Sequence, residues 1–138
     1  MSSCIFCKIV KWETPSQRVY EDDQYIAFLD INPINFGHTL VIPREHYQDV
    51  LDVPPDTLAG MIKIAKKVAP AVVKAMEADA FNIGINNGRA SGQLVDHVHI
   101  HIIPRFESDN LKSWPSRSRY GIGEMGATAK KIKAELEK

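Results

Sequence analysis

The sequence predicts an α+β domain with a mainly antiparallel sheet, and three observations carry that expectation. Short β-branched runs lie close together in the first third of the chain and again near residue 100. One long stretch, 54–76, has helical periodicity. No regular strand–helix–strand alternation connects them, which separates this pattern from a parallel α/β fold.

Taken in order, residues 4–11 (CIFCKIVK) suggest a short N-terminal helix with Ile5, Phe6 and Ile9 on its apolar side. QRVYED and YIAFLD read as a hairpin of short strands around the turn-prone Asp22-Asp23-Gln24. INPINFG is a loop by its Asn, Pro and Gly content, and GHTLVI (37–42) is a third strand stopped by Pro43. In 54–76, Leu58, Met61, Ile62, Ala65, Val68, Val72, Val73 and Met76 recur at three- and four-residue spacing, a stripe suited to packing on a sheet. Pro54 and Pro55 stand where a helix begins, and Pro70 should kink the helix or end a segment of it. FNIGIN (81–86) alternates like a strand, NNGRASGQ is a polar glycine-bearing loop, and VDHVHIHIIP is the last long strand. The tail from about Thr128 reads as a charged helix end. At 138 residues the whole chain, 1–138, is expected to be one domain.

Hydrophobic content of 44% and charged content of 25% are ordinary for a globular protein. Lys+Arg and Asp+Glu both number 17, so no net field favours nucleic acid or an anionic membrane. No apolar run is long enough to span a bilayer and MSSCIFCKIV has no signal-peptide pattern, so a cytoplasmic location is expected. Cys4 and Cys7, the only cysteines, would then be in a reducing compartment, where metal binding or redox work replaces a structural disulfide.

DHVHIHIIPR (96–105) carries three of the five histidines at every second position. In a strand, His97, His99 and His101 share one face while Val98, Ile100 and Ile102 take the other. Alternation this regular suggests an ionisable row on the face not used for packing. Three readings follow: a solvated strand face, a metal site in which two imidazoles share an ion, or nucleophilic catalysis at phosphorus. Neutral imidazole attacks phosphorus well, and its ordinary pKa of about 6.5 keeps it neutral at pH 7. The loop NNGRASGQ just upstream has glycines that let backbone N–H groups turn toward an anion, and His38, after Gly37, is a fourth candidate.

HVHIHII matches the His-x-His-x-His pattern of the histidine-triad (HIT) family. The chain also resembles that family's nucleotide-binding proteins at CIFCKIV, YEDDQYIAFLDINP, GHTLVIPREH and NNGRASGQ, in the family's order. The resemblance is strongest over residues 4–105 and thins in the tail 106–138, where SWP around Trp114 is similar to the Hint-like branch. It implies a HIT-like fold and hydrolysis or transfer of nucleoside monophosphoryl groups through a covalent nucleotidyl-histidine. The expected substrates are nucleoside phosphoramidates, acyl-nucleotides or dinucleoside polyphosphates. With only Arg89 and Arg105 near the triad, a short-tailed substrate is favoured.

By the family's motif the middle histidine, His99, is the nucleophile, His101 contacts the α-phosphate, and His38 lies near the leaving group or orients the site. Asn86, Gly92 and Gln93 match phosphate-contacting positions. The usual Gly-Gln-Ser reads Gly92-Gln93-Leu94 here, and leucine has no hydroxyl to offer phosphate. Asp30 matches the acidic residue that holds the ribose hydroxyls, and alternatively opens an Asx turn before Asn32-Pro33. Ile5, Phe6, Phe28 and Ile31 would wall the base. The family further implies a homodimer.

Cys4-x-x-Cys7 lacks the preceding strand of a redox motif, and suits a structural Zn2+ site with His46 as an available imidazole. Similarity to zinc-bearing relatives with this spacing, including galactose-phosphate uridylyltransferases, implies His97 as the fourth ligand. The rival readings are a hydrolase whose triad holds catalytic zinc and a non-catalytic nucleotide-binding adaptor.

Overall fold

A computed structural model describes residues 3–110 and 117–138; Trp114 and its SWP motif lie outside the described residues. Five strands form one antiparallel sheet in the order β1-β2-β3-β5-β4, comprising Arg18–Glu21, Tyr25–Leu29, Thr39–Pro43, Ile100–Arg105 and Ala80–Gly84 respectively. Helix α1 (Ile5–Val10) precedes the sheet, α2 (Pro55–Met76) connects β3 to β4, and α3 (Glu124–Leu136) closes the described chain. This is the α+β architecture the sequence predicts. No helix among the described residues is long and apolar enough to cross a membrane.

Every residue of β3 and four of five in β2 are buried, because both sheet faces are covered. On one face Ala27, Val41, Ile100 and Ile102 meet Met61, Ala65, Val68 and Val72 of α2. On the other, Ile26, Phe28, Leu40 and Ile42 pack against Phe6 and Ile9 of α1. The histidine row lies on this second face, since His101 pairs with Leu40. The expectation of a row on an unpacked face is therefore corrected: His97 is fully buried and His99 is 6% exposed.

Helix α2 begins with proline at its first positions and ends on Glu77, whose left-handed φ of 54° lets the backbone turn out of the helix. Of the kink or segment end expected at Pro70, the end does not occur: the helix runs on to Met76. Pro70 is exposed, as is Lys66 four residues earlier, so water can serve the carbonyl that loses its partner. Two strand ends also differ. The last ladder starts at Ile100 rather than near Val95, and β4 stops at Gly84 rather than residue 86. Before Ile100 the chain runs beside the 44–53 loop, held by Val98 N–H donating to Tyr47 O at 2.7 Å. The C-terminal helix starts at Glu124, four residues earlier than expected.

Candidate active site

The three triad histidines occupy three different hydrogen-bond environments, and these fix which ring nitrogen carries each proton. Burial lowers the pKa of all three and of His38, with His97 and His101 brought down to about 4. Each is therefore a neutral imidazole at pH 7, with one N–H and one lone pair.

His99 Nδ1 lies 2.7 Å from the carbonyl oxygen of His97. A carbonyl only accepts, so Nδ1 carries the proton and Nε2 keeps the free lone pair. Phe6 meets the His99 ring edge-on, with centroids 5.1 Å apart, and Phe28 stacks edge-on against Phe6 at 5.4 Å. Phe6 and Phe28 are themselves 6% and 3% exposed and belong to the apolar cluster with Ile26, Leu40 and Ile42, so the His99 ring rests against a packed wall.

His38 and His101 form a second assembly. The Ile34 backbone N–H donates to His38 Nδ1 at 3.1 Å, which places the His38 proton on Nε2. That N–H meets His101 Nδ1 at 2.9 Å, so His101 in turn carries its proton on Nε2. Asp30 Oδ2 stands 3.7 Å from His38 Nε2, while Asp30 Oδ1 accepts the Asn32 N–H at 2.9 Å. Asp30 therefore does open the Asx turn, and one oxygen remains on the site side. Asp30, His38 and His101 converge closely enough to suggest a metal site. The Ile34 N–H argues otherwise, because it leaves His38 Nε2 protonated and without a lone pair to give.

The turn that delivers His38 depends on Gly37. His38 N–H bonds Asn35 O at 3.0 Å with Gly37 at φ 96°, and a Cβ there would come within 2.6 Å of Met76 Cγ.

At the other end of the row, Cys4, Cys7, His46 and His97 place four ligand atoms within 4.8 Å of one another. Cys4 caps α1, accepting the Cys7 N–H at 3.3 Å, so the Cys-x-x-Cys spacing brings both sulfurs to one helix end. His97 Nε2 donates to Pro43 O at 2.9 Å, which turns its Nδ1 lone pair toward Cys4 Sγ at 3.4 Å and Cys7 Sγ at 3.6 Å. His46 Nδ1 is 3.3 Å from Cys7 Sγ. Ligands at the corners of a zinc tetrahedron would stand about 3.6 Å apart for sulfur and nitrogen, so the set fits Zn2+. Burial, with the Cys4 sulfur beside it, pushes the Cys7 thiol up to about 11. A cation between the sulfurs would favour both thiolates. A cleft of about 510 Å³ bounded by Cys4, Cys7, Lys11, Arg44 and His46 opens this end to solvent.

The glycine loop is organised by Gln93, which is 1% exposed. Its Oε1 accepts the Gly88 N–H at 2.7 Å, and its Nε2 donates to Gln48 O at 2.8 Å and Val95 O at 3.0 Å. The amide is thus spent on backbone groups of this loop and of the 44–53 segment, and Gly88 and Gly92 take positive φ on either side of the short turn Arg89–Ser91. Asn86 is half-buried beside Gly92, and Leu94 is 79% exposed. Of the proposed base-wall residues, Ile5 and Ile31 are the exposed pair. Arg105 is drawn away to Asp109 and Asn82. Sequence reasoning missed the Ile34 N–H, the Pro43 carbonyl, Asn35 and Asp109. The first two are backbone groups, which leave no residue-type signal.

Residues 11–108 match the HIT domain model. Adenosine 5'-monophosphoramidase HNT1 of Saccharomyces cerevisiae is 39% identical over 138 residues, covering 99% of this chain and 84% of that protein. Adenylylsulfatase HINT3 of Arabidopsis thaliana is 45% identical over 117 residues; these span 85% of this chain but 58% of that longer protein. The crystal structure of SMU.412c from Streptococcus mutans superimposes with a TM-score of 0.91 at 40% identity, covering 99% of this chain and 87% of that one. The chain belongs to the HIT family, in which these relatives carry the names of nucleotide-cleaving enzymes.

Proposed function

We propose that this protein is a nucleotide hydrolase or transferase that works through a covalent nucleotidyl adduct on His99. One observation carries the reading: the His97 carbonyl holds the His99 Nδ1 proton, so the Nε2 lone pair is the ring's reactive position. In the first step Nε2 bonds to the α-phosphorus as the bond to the leaving group breaks, and the departing group takes a proton from solvent. In the second, water attacks that phosphorus, the P–N bond breaks and the water's extra proton is released. His101 Nε2–H donates to a phosphoryl oxygen as charge develops there. His38 sets that donor, and the free oxygen of Asp30 accepts from ribose hydroxyls. The relatives' names, a monophosphoramidase and an adenylylsulfatase, support a nucleoside monophosphoryl group on a small leaving group, first of all nucleoside phosphoramidates, with acyl-nucleotides and dinucleoside polyphosphates as further candidate classes. Asn86, Gly92 and the loop N–H groups would face the phosphate, with Gln93 stiffening that loop and Ile31 meeting the base. Leu94 supplies no hydroxyl, which should lower phosphoramidase activity.

Cys4, Cys7, His46 and His97 would hold a structural Zn2+ that ties α1 to the lead-in of β5; no catalytic step passes through it. We also propose a homodimer in a cytoplasmic setting. The edge strand β4 is exposed along its whole length, with Phe81 and Ile83 each 44% exposed, and such an edge favours pairing with another chain.

The test is intact mass after rapid acid-free quenching with an adenosine phosphoramidate. An adenylyl adduct is expected on the wild type and not on His99→Ala. Equal turnover by both proteins would overturn the proposal.

A further inference from the structure

The loop joining β2 to β3 is pinned at one residue that takes no part in the proposed chemistry. Asn35 is half-buried. Its Nδ2 donates to Pro104 O at 2.8 Å and to Asp109 Oδ2 at 3.1 Å, and because neither oxygen can donate, the orientation of the amide is fixed. Pro104 lies on β5 three residues after His101. Asp109 also accepts from Arg105 Nε at 3.0 Å, from Arg105 Nη2 at 3.2 Å and from the Phe106 N–H at 2.9 Å, so the carboxylate is firmly placed. The Asn35 side chain therefore ties the loop to the strand that carries His101.

The same residue controls His38 from both sides. Its carbonyl receives the His38 N–H at 3.0 Å, and the N–H that meets His38 Nδ1 is that of its neighbour Ile34, one residue earlier in the same loop. That N–H decides the tautomer of His38, and hence of His101. A shift of well under 1 Å in the loop would weaken a 3.1 Å bond and release His38 to place its proton on either nitrogen.

We infer that Asn35 is a positioning residue for the His38–His101 pair, anchoring the Ile34 N–H so that the His38 proton stays on Nε2. The claim about tautomers stands on the hydrogen bonds alone; its consequence for turnover rests on the hydrolase reading above.

The experiment is a long-range 15N–1H spectrum of the histidine rings at pH 7, recorded for wild type, Asn35→Ala, Asn35→Ser and Asp109→Asn. The wild type should show a protonated Nε2 and a bare Nδ1 on His38. In Asn35→Ala the two nitrogen shifts of His38 should move toward each other, as in a tautomer mixture, while His97 and His99 keep theirs. Turnover of an adenosine phosphoramidate should fall about tenfold or more, with AMP affinity within about twofold of wild type. Asp109→Asn, which keeps the bond to Pro104 O, should retain the wild-type His38 pattern. Asn35→Ser, with a shorter donor, carries the same test if the alanine variant does not fold. A folded variant with the wild-type His38 pattern would overturn the inference, as would AMP affinity falling in step with turnover. Failure of both variants to fold would make Asn35 a residue of the fold and nothing more. A wild type that turns over no nucleotide would defeat the proposed reaction, while the spectra still decide the tautomer.

Discussion

The two ends of the histidine row are built by opposite means. At the start, His97 donates a hydrogen bond to a backbone carbonyl and turns a lone pair toward two sulfurs. At the end, His101 Nδ1 accepts a hydrogen bond from the His38 Nε2–H and turns its own N–H outward. His99 stands between them with its own proton on the other nitrogen. A repeat of one residue type thus presents a lone pair to two sulfurs, a lone pair on the opposite ring nitrogen and an outward N–H, and the difference comes from what each ring's second nitrogen meets.

The largest expected effect breaks the row at its centre. His99→Ala should cut turnover by at least about a thousandfold, measured with an adenosine phosphoramidate, while leaving the metal-site end intact. Next comes the sulfur end. Cys4→Ser, or a chelator entering by the open cleft, should remove zinc and lower the melting temperature by about 5 °C or more, read by metal analysis and calorimetry. His38→Gln should act on the opposite end alone, lowering kcat about 10- to 100-fold with zinc content unchanged. If it also lost zinc, the two ends would not be separate devices.

Acid sharpens the same contrast. Burial, with His99 and His38 beside it, pushes the His101 pKa from its ordinary 6.5 down to about 4 in the fold. Between about pH 6.5 and 4 the unfolded chain takes up a proton that the native one refuses, and stability falls as pH falls. Urea midpoints should decline over that window for the wild type and more gently for His101→Gln. The smallest effect lies outside the row. Glu77→Gly relieves the left-handed φ at the end of α2, and should stabilise by about 1 kcal/mol or less without changing either end.

Much of this was legible in the residues. Alternation gave the faces of β5, and three- and four-residue spacing gave α2. Cys4-x-x-Cys7 drew attention to the quartet that the fold brings together. The packed state of the histidine face was not legible, because its cover, Phe6, comes from α1, more than 90 residues earlier in the chain. Pro70 does not end α2, because exposure of the helix's outer side softens the loss of a backbone bond. The tautomers escaped altogether. They depend on the His97 and Pro43 carbonyls and the Ile34 N–H, backbone groups that leave no residue-type signal.

The most direct measurement of the central claim needs no substrate. A 15N–1H ring spectrum of the wild-type protein at pH 7 should place the proton on Nδ1 in His99 and on Nε2 in His97, His101 and His38. A His99 proton on Nε2 would aim the lone pair at the His97 carbonyl, and would contradict the assignment of His99 as nucleophile.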